Sequence, residues 1–270
     1  HMWEFLATNV HSNYLEFVRD AFWQPGNFNG ALRLQARHDL LTCLTTVKDI
    51  DLVIAMGTWA GQDMAAIGAP VPTVVASASD AIAAGIVRSA GDSGLDNLHA
   101  RVQPERYQRQ VRLFREVVPF ERLGLVFEDS PEGRTYSAVD AVMQVAQAQG
   151  FEVVPCNARS SGIPLEQATR NVLQCYAKLA PQIDAAYVTV HRGITPASIG
   201  AIAQILIQAH VPSFSMLGSE EVKHGLLMSL AQADYSYVGM FYAETIARIF
   251  NGAKARQLNQ IWVDPTKIAL

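Results

Sequence analysis

Five times along this 270-residue chain a short apolar run stops at a cluster of small or polar residues that opens a helix-like pattern. The runs are residues 51–56 before Gly57-Thr58-Trp59, 71–76 before Ser77-Ala78-Ser79-Asp80, 123–127 before Glu128-Asp129-Ser130, 185–190 before His191-Arg192-Gly193, and 211–214 before Ser215-Met216-Leu217. Runs this short, alternating with helical periodicity, argue for parallel strands joined by right-handed crossovers. In such sheets ligands sit beyond the carboxyl ends of the strands, where helix N-termini offer unpaired N–H groups. The five clusters are therefore where function is expected.

Half of the residues are hydrophobic and 17% are charged, enough apolar material for two cores and too much for disorder. The net charge of -4 and the dispersed Lys and Arg, only modestly clustered over 101–122, argue against a nucleic-acid partner. The longest apolar runs, such as 199–209 with Gln204 and Gln208 inside it, stop short of the roughly 18 residues of a membrane span, so no insertion of this segment is expected. His1-Met2 reads as a cloning remnant on a trimmed start, which leaves a removed signal peptide or anchor open. Cys43, Cys156 and Cys175 have no metal-ligand spacing, so no metal is expected; buried free thiols are the first reading and one disulfide the alternative.

The hydropathy pattern predicts strands over 3–8 and 31–36, helices over 12–22 and 40–48, and then the strands at 51–56 and 71–76. A polar, glycine-containing stretch over 89–97 places a crossing to a second lobe near residue 100. Helices are predicted over 104–117, 136–149, 165–179, 196–209 and 237–250, and strands over 123–127, 152–155, 185–190, 211–214, 225–230 and 260–264. The expected architecture is α/β, two doubly wound parallel-sheet lobes joined by a multi-strand hinge, with 1–99 plus 216–255 in one lobe and 100–215 plus 256–270 in the other.

No nucleotide-binding, nucleophile-elbow or zincin motif follows any strand, which argues against an enzyme and against a bound cofactor. Gly57-Thr58-Trp59 offers a hydroxyl, helix N-terminal amides and an indole, or else a cap and a core Trp. Ser79 and Asp80 suit an ammonium group or a capped turn. The loop after Glu128 holds Asp129, Arg134 and Tyr136, read as ligand contacts or as a solvated ion pair. Arg192, closing an apolar strand, suits a bidentate carboxylate grip or a latch to an acid of the other lobe; His191 suits a hydrogen-bonded spacer. Asp234 or Ser236 reads as the cap of the long helix, with Tyr235 as an aromatic wall.

The segments 51–62 (DLVIAMGTWAGQ), 70–80 (PVPTVVASASD), 117–128 (VVPFERLGLVFE) and 212–215 (PSFS), with Asp234-Tyr235 and Gly239, resemble ABC transporter substrate-binding proteins of the tryptophan- and phenylalanine-binding type. The resemblance implies a type I periplasmic-binding-protein fold and an extracytoplasmic or periplasmic location, with a lipid anchor left open. It also implies an ABC permease as partner, and ligand contacts at Thr58, Trp59, Ser79, Asp80, Asp129, His191 and Arg192. The sequence departs from the family's Thr-Asp-Pro at Ser79-Asp80-Ala81, and the segment before residue 50 looks shortened.

The expected function is solute binding: Arg192 and the Thr58 amides would hold a carboxylate, Asp80 or Asp129 an amine, and Trp59 with Tyr136 or Tyr235 a flat side group; Ser215 completes the expected site. Two alternatives remain at this level, a ligand-sensing domain fused to a membrane signalling module, and a racemase or lyase using Asp129 and His191 as an acid–base pair.

Overall fold

A computed structural model describes residues 2–24, 29–232, 235–263 and 266–270. The chain separates into two compact units, 1–51 and 52–270.

The first unit contains α1 (Met2–Asn9), α2 (Gly30–Thr42) and a π-helical turn over Cys43–Val47. Both strands expected here are helices. Residues 31–36 alternate Leu with Arg and Gln, but all are strong helix formers, and the Asn29 side chain accepts from the amides of Ala31 and Leu32 as an N-cap. A strand also needs a hydrogen-bonded neighbour, and none exists among the described residues of this unit, whereas a helix satisfies its own backbone. The helix expected over 12–22 does not form; the stretch is irregular and tied back by the Trp3 indole, which donates to the Val18 carbonyl at 3.0 Å.

The second unit begins with β1 (Val53–Met56), α3 (Thr58–Ala66), β2 (Thr73–Ala76) and β3 (Leu98–Ala100). The three strands form one parallel sheet in the order β1-β2-β3. α3 packs so closely on it that a Cβ at Gly61 would lie 2.7 Å from Val75 Cγ1. β3 was not foreseen as a strand; it occupies the place of the expected crossing at residue 100.

Next come α4 (Arg106–Val117), β4 (Arg122–Phe127), α5 (Pro131–Tyr136), α6 (Val139–Gln149), β5 (Glu152–Asn157), α7 (Leu165–Leu179), β6 (Ala185–Val188), α8 (Ile199–Gln208), β7 (Ser213–Ser215), α9 (Ser219–Lys223), β8 (Met228–Gln232), α10 (Tyr235–Phe250) and β9 (Thr266–Ala269). β4 to β9 make a six-stranded sheet in the order β5-β4-β6-β7-β8-β9, parallel except for β9. β4 alternates across it: Leu123, Leu125 and Phe127 join the core under α4 and α6, while Val126 joins the one under α7 and α8. A strand buried on both faces must be apolar throughout, which explains its unbroken hydrophobic run.

β8, expected in the first lobe, pairs with β7 in the larger sheet. α10 instead packs on the smaller sheet, where Val74 and Ile249 share a core with Tyr242 and Ile246. The chain thus passes between the two sheets after β3, after β8 and after α10. The first and third passages touch at a parallel bridge between Val102 and Ile261, with the Val102 amide donating to the Gln260 carbonyl at 2.7 Å. The strand expected over 260–264 is reduced to that bridge, Asp264 lies outside the described residues, and the true strand is β9.

The thiol expectation is corrected as well. Cys156 of β5 and Cys175 of α7 form a disulfide, with Cα atoms 5.7 Å apart, and Cys43 is free. A separation of 19 residues carries no pairing signal; only the packing of α7 on the sheet brings the sulfurs together. Among the described residues no helix is long and apolar enough to cross a membrane, and no group of three or more potential ligand residues could hold a metal ion. Replacing both Cys156 and Cys175 by serine is expected to lower the unfolding free energy by about 3 kcal/mol, as a ring of this size implies. Urea denaturation measures it, and an unchanged midpoint would show that the cross-link contributes nothing to stability.

Candidate functional site

Strand order makes the site. β4 connects through α6 to β5 on one side, while β6 lies on β4's other side and its chain leaves through α8 across the opposite face. Their outgoing loops therefore diverge, opening a crevice at the carboxyl ends of β4 and β6.

In the smaller sheet, the two loops are knitted together. Gly57, at φ 90°, takes a conformation that favours glycine, and its amide donates to the Ala76 carbonyl at 2.7 Å. That turn aims the Thr58 side chain inward, where its buried Oγ1 accepts from the Ser79 amide at 3.3 Å. The carbonyl of Ser79 in turn accepts from the Tyr107 hydroxyl of α4 at 2.8 Å. Asp80 caps its own turn, its Oδ1 accepting from the amides of Ile82 and Ala83 at 3.0 and 2.9 Å. Trp59 is half-buried beside Thr58.

α4 carries the connection onward. Tyr107, Gln110, Val111 and Phe114 form its buried stripe. The Gln110 amide nitrogen donates to the Met216 carbonyl at 3.3 Å, and its oxygen accepts from the buried Tyr187 hydroxyl of β6. Burial pushes the Tyr107 phenol above its ordinary value, with Arg106 and Arg101 opposing that shift and Asp80 adding to it. Sequence reasoning missed Tyr107 and Gln110; the detectable signal was an amide on the apolar stripe of a helix, since a buried polar group requires a partner.

In the larger sheet, most of the polar residues expected to face a ligand hold the loops. Both oxygens of Glu128 accept from Ser160 and Ser161, including the Ser161 amide at 3.1 Å. Burial would raise this carboxyl, but those bonds outweigh it and hold it below its ordinary value. Asp129 pairs with Arg134 at 3.3 Å, and Arg134 also meets Asp140 at 3.2 Å, the solvated ion pair that was the plainer expectation. Tyr136 is half-buried at the end of α5.

His191 is buried, with Nδ1 accepting from the Gly193 amide at 3.0 Å and Nε2 2.7 Å from the Ala158 carbonyl. A carbonyl only accepts, so Nε2 carries the proton and the ring is the neutral spacer, with neither nitrogen left for acid–base chemistry with Asp129. Arg192 Nη1 donates to the carbonyls of Ser160 and Ile163 at 2.8 and 2.5 Å. Its cation thus secures the loop after β5. Ser215 is buried, accepting from the amides of Leu217 and Gly218 and donating to Glu221 at 3.2 Å. Tyr235 is 79% exposed at the start of α10, and Asp234 lies outside the described residues.

Two carboxyl-end loops of a parallel sheet, bridged to a second such sheet through α4, are the design of a two-lobed solute receptor of the type I periplasmic-binding-protein fold. The chain belongs to the ABC transporter substrate-binding protein family: the model described as "ABC transporter substrate binding protein" matches residues 31–268. That family binds solutes for transporters, is extracytoplasmic and is not enzymatic. No curated protein matches the sequence.

Similar solved structures include an ABC domain in complex with L-Trp from Streptococcus pneumonia, with TM-score 0.67 and 20% identity over 89% of this chain and 79% of that one. A conserved domain protein from Vibrio cholerae gives 0.66 and 19% over 91% and 75%. The ligand-free, open structure of a substrate binding protein with adhesive properties from Clostridium difficile gives 0.63 and 22% over 89% and 77%. At these identities they establish the fold.

Burial holds the His191 imidazole below its ordinary pKa of 6.5, against the raising influence of the Ala158 carbonyl and Glu128. Below pH 6.5 the unfolded chain takes up a proton that the folded ring refuses, so the stability present above that pH is lost as pH falls toward the folded value. His191→Gln, whose amide can replace both hydrogen bonds, is expected to flatten the decline of the melting temperature on acidification. An identical slope for the variant would remove His191 as its source.

Proposed function

We propose that the chain closes on a small carboxylate-bearing or aromatic solute, an amino acid or a close relative, and presents it to an ABC permease. The observation that carries this reading is the bridge from Thr58 through Ser79 to Tyr107, which ties both carboxyl-end loops of the smaller sheet to a helix packed on the larger one. A solute bound there would contact both lobes, the condition for closure to depend on it. The L-Trp complex of the Streptococcus structure supports the aromatic amino-acid class.

In this reading the lobes hinge at the passages around Val102 and Ile261. Thr58, Trp59, Ser79 and Asp80 supply one wall, and Tyr136 the opposite one. Asp129, His191, Arg192 and Ser215 shape that opposite wall by fixing its loops, and Tyr235 stands at the rim. The disulfide fits delivery outside the cytoplasm, where such bonds persist.

Native mass spectrometry of the purified protein, followed by denaturation, is expected to release one amino acid or aromatic acid per chain. If the protein is empty, the same classes should raise its melting temperature in a thermal-shift screen. Failure of every member in both assays would overturn the ligand class. Thr58→Val, which leaves the Ser79 amide without its acceptor, is expected to weaken binding about tenfold by calorimetry.

A further inference from the structure

The buried stripe of α4 mixes two kinds of contact. Val111 and Phe114 press the helix onto the core of the larger sheet, but apolar contact is non-directional and lets a helix slide or turn slightly at little cost. Tyr107 and Gln110 supply the directional bonds. Both are buried, and they stand three residues apart, about 4.5 Å along the helix axis.

Gln110 spends both ends of its carboxamide on the larger sheet: Oε1 accepts from the Tyr187 hydroxyl of β6, and Nε2 donates to the Met216 carbonyl, just after β7, at 3.3 Å. Its partners are themselves fixed. Tyr187 stacks on Phe214 with ring centroids 5.7 Å apart, Phe214 meets Phe114 of α4 at 5.4 Å, and the Met216 amide donates to the Val188 carbonyl at 2.9 Å. Bonds to two neighbouring strands set both the rotation of α4 and its position along its own axis.

Tyr107 spends its hydroxyl on the smaller sheet's loop, donating to the Ser79 carbonyl at 2.8 Å. The helix start offers it no support. Glu105, in the N-cap position, holds a left-handed φ of 56°, which a residue with a side chain rarely adopts, and its side chain caps no amide. The first turn therefore takes its position from the turn that follows, where Gln110 is anchored. A hydrogen bond weakens steeply as its donor is misdirected, so the Tyr107–Ser79 bond depends on that anchoring.

We infer that Gln110 is a positioning residue for the loop after β2: by fixing α4 against β6 and the chain leaving β7, it places the Tyr107 hydroxyl on the Ser79 carbonyl, so that a loop of the smaller sheet is held from inside the larger one. The coupling is indifferent to the identity of the solute. Its bearing on binding rests on the proposed solute-binding reading, in which this loop lines one wall, whereas the measurement that tests it needs no ligand.

Amide hydrogen exchange, followed by NMR on the whole ligand-free chain, reads the coupling. The amides of Ser79, Ile82, Ala83 and Ala84 are each hydrogen-bonded within the loop or to Thr58, and those of β4 report on the larger core. Tyr107→Phe is expected to speed exchange of the loop amides about tenfold and to leave β4 unchanged, as loss of one hydrogen bond implies. Gln110→Met combined with Tyr187→Phe exchanges a hydrogen-bonded pair for apolar groups of similar shape, which a core tolerates. It should speed the same loop amides by a similar factor, and adding Tyr107→Phe to it should change nothing further. A glutamine that only fills the core would produce neither result.

If Gln110→Met with Tyr187→Phe speeds exchange in α4 and β6 while the loop stays within about twofold of its wild-type rate, or if its effect adds in full to that of Tyr107→Phe, the inference falls. It falls equally if Tyr107→Phe alone leaves the loop unchanged. Should β4 open in the combined variant, Tyr187→Phe alone, which deletes one hydroxyl, is judged by the same criteria. None of these outcomes touches the solute-binding reading, which stands or falls on the ligand assays.

Discussion

The burial of β4 on both faces is the constraint from which the larger sheet and its loops follow. A strand with Leu125 under one helical layer and Val126 under the other cannot lie at an edge, so β5 and β6 must flank it. Right-handed crossovers then send α6 to one face and α7 and α8 to the other. The loops after β4 and β6 part for that reason alone. The crevice is thus a consequence of core packing, present before any polar residue is chosen to line it.

Polar residues at those strand ends divide into two kinds. Glu128, His191, Arg192 and Ser215 spend their hydrogen-bonding capacity on neighbouring backbone or on each other's loops, and a loop held by several such bonds is a rigid wall. Thr58, Ser79 and Tyr107 make a thinner chain of single bonds between the sheets. A domain interface joined by few bonds can open, whereas walls joined by many cannot deform. The distribution of hydrogen bonds therefore distinguishes the densely bonded loops of the larger sheet from the sparsely bonded junction at α4.

Much of the larger sheet was legible in advance. α7 has the predicted bounds, 165–179, because an amphipathic stripe over four turns outweighs any tertiary effect, and β4 was plain because a doubly buried strand is apolar without interruption. The first fifty residues misled for the opposite reason. Short mixed runs such as 31–36 carry no decisive period, and what settles them is the Asn29 cap together with the lack of a strand to pair with. β3 was invisible because three residues, one of them the buried His99, are too few to show alternation. For Arg192 the chemistry was readable and the neighbours were not: the carbonyls of Ser160 and Ile163, which accept from its Nη1, lie 32 and 29 residues earlier in the chain.

By itself, the sequence determined the fold class, the family and where most strands of the larger sheet end, since these depend on hydrophobic periodicity and short ordered motifs, which are local. Tertiary structure decided which of the polar residues at those ends are already satisfied. Hydrogen-bond partners such as Ser160 for Glu128, Ala158 for His191 and Ser79 for Tyr107 are separated by 28 to 33 residues and meet only through strand order. The sulfurs of Cys156 and Cys175 join for the same reason, because packing of a helix on a sheet sets distances that spacing along the chain does not encode.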